Sequence, residues 1–319
     1  MAFQDVVGQQ RPVRIIRRAI ETERVHHAYL FTGMEGIGKK VVAMNMAKAL
    51  NCARQDGDAC DQCPACRRID KGIYPDVIQV NPTGDTIKIG QIRELQRSIA
   101  FKPFEARWRL VIIDGAERLT REAANAFLKA LEEPPPQTTI ILIATTTEAL
   151  PATVLSRCQR IRFSPLSDEE VNTVLARALP EKKLTALSPL AGGSPGRAAQ
   201  MDWEELTQVR MTLRTALAPS LRERLQVAQD LARQEGSGKI FLEILGGWLR
   251  DLIVYLETRE EGTLLNRDLV HEIKRVAPGQ TIEGLLQAFW SLLQIQQGIE
   301  AHGNLQLALE AALLRMEGA

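Results

Sequence analysis

Residues Gly33-Met34-Glu35-Gly36-Ile37-Gly38-Lys39-Lys40 carry the spacing G-x-x-x-x-G-K. Glycines so placed let backbone N–H groups curl around a phosphate, and the lysine offsets its charge. The next position ordinarily holds Ser or Thr, whose hydroxyl ligates the Mg²⁺ of a nucleotide. Here it is Lys40, and an ammonium, with three donors and no acceptor, cannot ligate a cation. A second acid belongs to the same chemistry. Asp114 ends the apolar run Arg109-Leu110-Val111-Ile112-Ile113, and an aspartate at the carboxyl end of a strand beside a phosphate loop supports Mg²⁺. The position after it, where nucleotide hydrolases of this kind place a water-polarising Glu, is Gly115. Glu117, two residues on, is expected to point elsewhere. The loop reads as a degenerate site for ATP or ADP, with metal ligation and water activation both impaired.

Cys52, Cys60, Cys63 and Cys66 form C-x7-C-x2-C-x2-C. Short C-x2-C steps let thiolates converge on one ion, and four of them complete a tetrahedral zinc shell. Four cysteines leave no open coordination position, so the zinc is expected to be structural; a redox pair or chance clustering is the alternative. Asp56-Gly57-Asp58 and Pro64 are expected to form the tight turns around it. Cys158 stands apart and reads as a packed thiol. Met1 to Gly8 holds no basic segment followed by an apolar one, so no signal peptide is expected. Nor does any apolar run reach the length that spans a bilayer. A cytosolic location, where disulfides are disfavoured, and no membrane partner follow.

These residues need a scaffold. Ala28–Thr32 is a β-prone run leading into the loop, and 41–50 is helix-like behind it, the setting a phosphate loop requires. Further strands are expected at 76–80, 109–113 and 138–144, with a helix over 89–101, which suggests a parallel sheet covered on both faces. Between the last two strands Thr120 reads as an N-cap. Ala124, Phe127, Leu128 and Leu131 make the apolar stripe of a helix that Pro134-Pro135-Pro136 stops. Beyond Leu166 no further strands are expected. Ser167 to Leu179 is a capped helix stopped by Pro180, and Gly193-Ser194-Pro195-Gly196-Arg197 opens another. From Trp203 to Met316 the chain reads as helical, divided near Pro219, Gly236-Ser237-Gly238 and Pro278-Gly279. Ile282, Leu285, Leu286, Phe289, Leu292 and Leu293 give it a broad apolar face. With 45% hydrophobic residues, 25% charged residues and a net charge of +1, the chain is an ordinary globular one with no whole-chain basic field for nucleic acid.

Asn125-Ala126-Phe127-Leu128-Lys129-Ala130-Leu131-Glu132-Glu133-Pro134-Pro135 resembles the signature of clamp-loader AAA+ subunits. Leu155-Ser156-Arg157-Cys158 resembles their Ser-Arg-Cys motif, Val7-Gly8-Gln9 their adenine-side box, and the four cysteines the zinc module of the bacterial members. The resemblance implies a P-loop AAA+ parallel-sheet domain over 1–165 with a zinc module inserted at about 50–70. A small helical lid at 166–202 and an all-α collar for oligomerisation at 203–319 would follow. It implies an arginine finger at Arg157, acting in trans on a neighbour's nucleotide. A nucleotide site of its own would use Val7, Gly8, Gly33, Gly36, Gly38, Lys39, Lys40 and Asp114, with Thr145 as sensor 1 and Arg197 as sensor 2. The implied partners are the ATPase and delta subunits of a hetero-pentamer and, through the complex, the sliding clamp and primed DNA.

Two readings compete: an ATP-hydrolysing motor, of the loader or of a related AAA+ ATPase, and an arm that keeps the finger but lacks hydrolysis. Lys40 and Gly115 favour the arm. A zinc-dependent nucleic-acid module is a third reading, weakened by the modest basic content around Arg67-Arg68 and Lys71 and by little aromatic interleaving. His26 and His27 lack metal-ligand spacing and read as packing or surface residues.

Overall fold

The computed structural model describes residues 1–179, 191–200, 203–216, 220–234, 236–266, 269–300 and 303–315. Pro180, Pro219 and Met316 lie outside them. The chain divides into two compact units, Met1–Ala199 and Gln200–Ala319.

The first unit is built on a five-stranded sheet in the order β2-β3-β4-β1-β5, and every neighbouring pair is parallel. The strands are β1 (Ala28–Thr32), β2 (Val77–Val80), β3 (Arg109–Asp114), β4 (Thr138–Ala144) and β5 (Gln159–Arg162). Around them run α1 (Gln10–Glu21), α2 (Lys39–Asn51), α3 (Pro64–Asp70), α4 (Ile89–Ile99), α5 (Arg121–Glu132), α6 (Ala152–Leu155), α7 (Asp168–Ala178) and α8 (Pro195–Gln200). Every residue of the central strand β4 is buried, as the rule for parallel strands covered on both faces requires. Its four large aliphatic side chains each contribute about 1.5–3 kcal/mol of burial, an upper bound for a chain unfolding to a compact ensemble.

Four strands match the expected runs and β5 was not foreseen. Its sequence Gln-Arg-Ile-Arg buries only Ile161, so it shows neither a buried apolar run nor an extended alternation. It is an edge strand recruited by β1, with Leu30 beside Arg160 and Phe31 beside Ile161. Pro64 also departs from expectation. It opens α3 at its first turn, where a missing N–H costs nothing. Asp56-Gly57-Asp58 does turn, with Gly57 at φ +81°.

One buried ion pair fixes the long connection between α4 and β3. Asp76 and Arg109, with side chains 2% and 5% exposed, meet at 3.1 Å. The Asp76 carboxylate accepts the N–H groups of Phe104, Glu105 and Ala106 at 2.9 Å each. The Arg109 guanidinium donates to the carbonyls of Ile99, Phe101 and Lys102.

All described elements of the second unit are helical: α9 (Trp203–Ala216), α10 (Leu221–Arg233), α11 (Ser237–Thr258), α12 (Val270–Val276), α13 (Ile282–Glu300) and α14 (Leu305–Arg315), with short 3₁₀ turns. The breaks fall at Gly236, which precedes α11, and at Ala277–Gly279, which precedes α13. Asp251 of α11 is fully buried. It accepts the N–H of Leu265 and both the N–H and the side-chain amide of Asn266. Among the described residues no helix is long and apolar enough to cross a membrane.

Candidate nucleotide site, arginine finger and cysteine cluster

The phosphate loop lies between β1 and α2, as its strand–loop–helix setting demands. Gly36 has φ +73°, and a Cβ there would stand 2.9 Å from the Arg197 nitrogen and 3.0 Å from the Gly196 Cα. Only glycine satisfies both restrictions. Gly38, at φ +97°, precedes the first residue of α2, and Gly33 packs against the Phe163 backbone. The tip of the loop is latched to residues 194–197. Gly196 N–H donates to the Gly36 carbonyl at 2.9 Å. Ser194 Oγ donates to the Glu35 carbonyl at 2.7 Å and accepts the Arg197 N–H at 3.2 Å. The chain thus brings the backbone of Arg197 to the loop.

Val7 is half-buried and Gly8 has φ +75°. Gln9, 1% exposed, ties this segment to the site. Its side-chain amide donates to the carbonyls of Ile37 at 3.1 Å and Ser164 at 2.8 Å. Gln9 therefore joins the loop to the end of β5, a role its place beside Gly8 did not reveal.

Lys39 and Lys40 behave differently. Lys39 is buried, and its ammonium turns back to donate to the carbonyls of Gly33 and Met34. Burial lowers its pKa, opposed by the carboxylates of Glu117, Asp114 and Glu35. Lys40 reaches the other way. Its Nζ lies 3.1 Å from Asp114 Oδ2 and donates to Asn81 Oδ1 at 3.4 Å. The acid that would support Mg²⁺ is thus paired to the cation standing where its partner hydroxyl would be. With side chains 44% and 34% exposed the pair contributes at most about 1 kcal/mol; its effect is chemical.

Glu117 corrects an expectation. The 3₁₀ turn Ala116–Arg118 after Gly115 swings it back into the site. Glu117 Oε1 accepts both the Thr145 hydroxyl at 2.7 Å and the Thr145 N–H at 3.2 Å. Its Oε2 is buried and makes no hydrogen bond among the described residues. Counting residues from Asp114 missed this because the turn, not strand alternation, sets the direction. Thr145 follows β4 directly, so strand order alone brings it between β3 and the loop.

Arg157 lies just beyond α6. Nη1 donates to the Thr153 carbonyl at 2.8 Å and to Ser156 Oγ at 3.3 Å; Nη2 donates to Glu132 Oε1 at 2.7 Å. The ion pair is partly exposed, at 34% for Arg157 and 49% for Glu132, so its stabilising contribution is about 1 kcal/mol or less.

Two family models now decide the affiliation. One described as "DNA polymerase III, delta subunit" matches residues 8–167, and one described as "DNA polymerase III, delta subunit, C terminal" matches residues 200–318. The chain belongs to the DNA polymerase III delta-subunit family. It is 26% identical to the Bacillus subtilis DNA polymerase III subunit delta′, over 97% of this chain and 96% of that protein. It is 38% identical to the DNA polymerase III subunit gamma of Buchnera aphidicola from Acyrthosiphon pisum, over 53% of this chain, and spans 47% of that relative's length. Among solved structures, a DNA polymerase III gamma subunit-related protein from Thermotoga maritima is 19% identical with a TM-score of 0.45, covering 96% of this chain and 99% of that one.

In this member of the delta-subunit family the four cysteines come together. The sulfurs of Cys52, Cys60, Cys63 and Cys66 all lie within 4.8 Å of one another. A tetrahedral zinc shell with Zn–S near 2.3 Å would set them about 3.8 Å apart, so the donor set fits a zinc ion. Cys63 N–H donates to Cys60 Sγ at 3.2 Å and Cys66 N–H to Cys63 Sγ at 3.5 Å. The N–H groups of Gln62 and Cys63 draw the Cys60 thiol down to about 6, while burial pushes Cys66 up. The cluster is anchored by a residue the sequence did not single out. Lys48 of α2, 1% exposed, pairs with Asp61 at 2.6 Å and Asp70 at 2.9 Å. Cys158 is buried, which raises its thiol to about 11, as a packed thiol should be. His26 and His27 stack on each other at 4.4 Å.

Proposed function

We propose that this chain is the delta-prime-type subunit of the DNA polymerase III clamp-loader complex. It would support ATP-driven loading of the sliding clamp onto primed DNA without hydrolysing ATP itself. The observation that carries this reading is the Lys40–Asp114 pair at 3.1 Å. Mg²⁺ bridges the phosphates and neutralises the charge that develops in phosphoryl transfer; here a monovalent ammonium holds the acid that would support it. Lys39 and the glycines remain able to meet the phosphates of ATP or ADP, so binding and hydrolysis separate.

Arg157 supplies the remaining chemistry in trans. A guanidinium is always charged and offers a fixed fork of donors, suited to charge developing on a neighbour's transferred phosphoryl group. Residues 166–202 act as the lid and 203–319 as the collar. Supporting the collar, Ile282, Leu286 and Trp290 of α13, spaced by one helical turn each, are 37%, 41% and 64% exposed. An apolar stripe of that kind fits packing against other subunits. The partners are the complex's ATPase and delta subunits in a hetero-pentamer, with clamp and primed DNA met through the complex. The location is cytoplasmic, and the cysteine cluster holds structural zinc.

The alternative is an ATP-hydrolysing motor subunit, favoured by the carboxylate of Glu117 beside Thr145. Steady-state ATPase measurement of the isolated chain separates the two. Turnover at background is expected; robust turnover abolished by Lys39→Ala would establish the motor instead.

A further inference from the structure

We infer that Glu132 is a positioning residue for Arg157, holding the finger in the orientation it presents to a neighbouring nucleotide. The inference rests on the reading of Arg157 as a finger and adds a residue to it. Three acceptors fix the guanidinium: Glu132 Oε1 at 2.7 Å, the Thr153 carbonyl at 2.8 Å and Ser156 Oγ at 3.3 Å. Two of them belong to the finger's own helix and turn. Only Glu132 comes from another element, the last residue of α5. Of the five guanidinium donors, Nε–H and one Nη2–H make no hydrogen bond among the described residues. The clasp therefore immobilises one part of the fork and leaves donors for a phosphate oxygen.

The placement of Glu132 is itself constrained. α5 is a single helix of 12 residues, about 18 Å long. Thr120 caps its start, accepting the Ala123 N–H at 3.2 Å. Ala123, Ala124, Phe127, Ala130 and Leu131 bury one face, and Pro134-Pro135-Pro136 follow its end. The start of this rod lies just after the turn that carries Glu117 against Thr145. A long flexible arginine would otherwise sample many rotamers before meeting its target, and ordering it in advance lowers that cost in the transition state. The carboxylate partly offsets the finger's positive charge, so the gain is in orientation and belongs to kcat.

The test uses the assembled loader with clamp and primed DNA, comparing wild type, Glu132→Ala, Glu132→Gln, Arg157→Ala and the Glu132→Ala/Arg157→Ala double variant. Single-turnover hydrolysis isolates the slowest site, and steady state gives kcat and KM. Glu132→Ala should slow the finger-dependent phase about fivefold to tenfold with KM for ATP unchanged. Glu132→Gln, which keeps an acceptor but no charge, should fall between it and wild type. In the Arg157→Ala background Glu132→Ala should cause no further loss, since its only effect runs through that guanidinium. A Glu132→Ala complex at or above the wild-type rate would overturn the inference, as would a loss that persists without Arg157 or that resides in KM. If Arg157→Ala is itself inert, the finger reading fails. If Arg157→Ala slows the complex and Glu132→Ala does not, only the positioning role of Glu132 fails.

Discussion

Lys40 decides the chemistry of the loop. Its ammonium meets Asp114 at 3.1 Å, so one charge-bearing side chain has taken over a position normally shared by a hydroxyl and a metal. Nucleotide affinity of the wild-type chain should therefore be indifferent to Mg²⁺. Lys40→Thr restores a hydroxyl and frees Asp114, and Mg²⁺ should then tighten binding by about tenfold or more, the effect of an interaction near 1.4 kcal/mol. Titration of a fluorescent nucleotide with Mg²⁺ or with chelator checks this in both proteins. The sequence made Lys40, Asp114 and the glycines legible because each sits in a motif of fixed spacing. It hid Glu117 and Gln9, since the direction of the first depends on a 3₁₀ turn and the role of the second on a contact with Ser164, far away in the chain.

Among the elements, the cysteine module is held by the buried Lys48 and the α4–β3 connection by the buried Asp76–Arg109 pair. Four-thiolate sites contribute folding free energy directly, so Cys63→Ser should remove bound zinc, measured by metal analysis, and lower Tm. Protein prepared without chelator that contains no zinc would refute the site. Asp76 makes a pH-dependent contribution. Burial alone would raise its pKa, but the N–H groups of Glu105, Phe104 and Ala106 and the Arg109 guanidinium outweigh it and hold the carboxyl below the usual range. A carboxyl depressed in the folded state stabilises above its unfolded pKa, near 3.9, and loses that contribution as pH falls through the folded value. Asp76→Ala should destabilise by about 3–5 kcal/mol at neutral pH, because it leaves Arg109 buried and unpaired. The gap in stability between variant and wild type should narrow below about pH 4 in denaturant titrations. Such anchors were invisible in the sequence: nothing in the spacing of Asp76 and Arg109 announces that they meet. The strands and α5 were legible for the opposite reason, since an apolar run such as 138–144 or a capped stripe such as Thr120 to Leu131 states its own burial. β5 was not, because an edge strand with one buried residue carries no such pattern.

At the scale of the whole molecule, the division into Met1–Ala199 and Gln200–Ala319 matches two separate family models with an interval between them. The first unit contains the sheet, the loop, the cysteine cluster and Arg157, so a chain ending at Ala199 should fold cooperatively and keep its zinc. It should fail to enter the complex, because the exposed Ile282, Leu286 and Trp290 belong to the second unit. Size-exclusion chromatography with the partner subunits checks both outcomes. As proposed, this chain withholds hydrolysis from its own site and completes a neighbour's. The most direct measurement is ATP hydrolysis by the assembled loader, with clamp and primed DNA, carrying Arg157→Ala in this subunit alone. The isolated variant should keep the wild-type fold and nucleotide affinity, and the complex should assemble normally. Hydrolysis at the adjoining site should fall by about a thousandfold, an effect diluted in steady state by the other sites. Arg157→Lys should recover only part of it, since an ammonium lacks the planar fork. A normally assembled Arg157→Ala complex that hydrolyses ATP at the wild-type rate at every site would contradict the account.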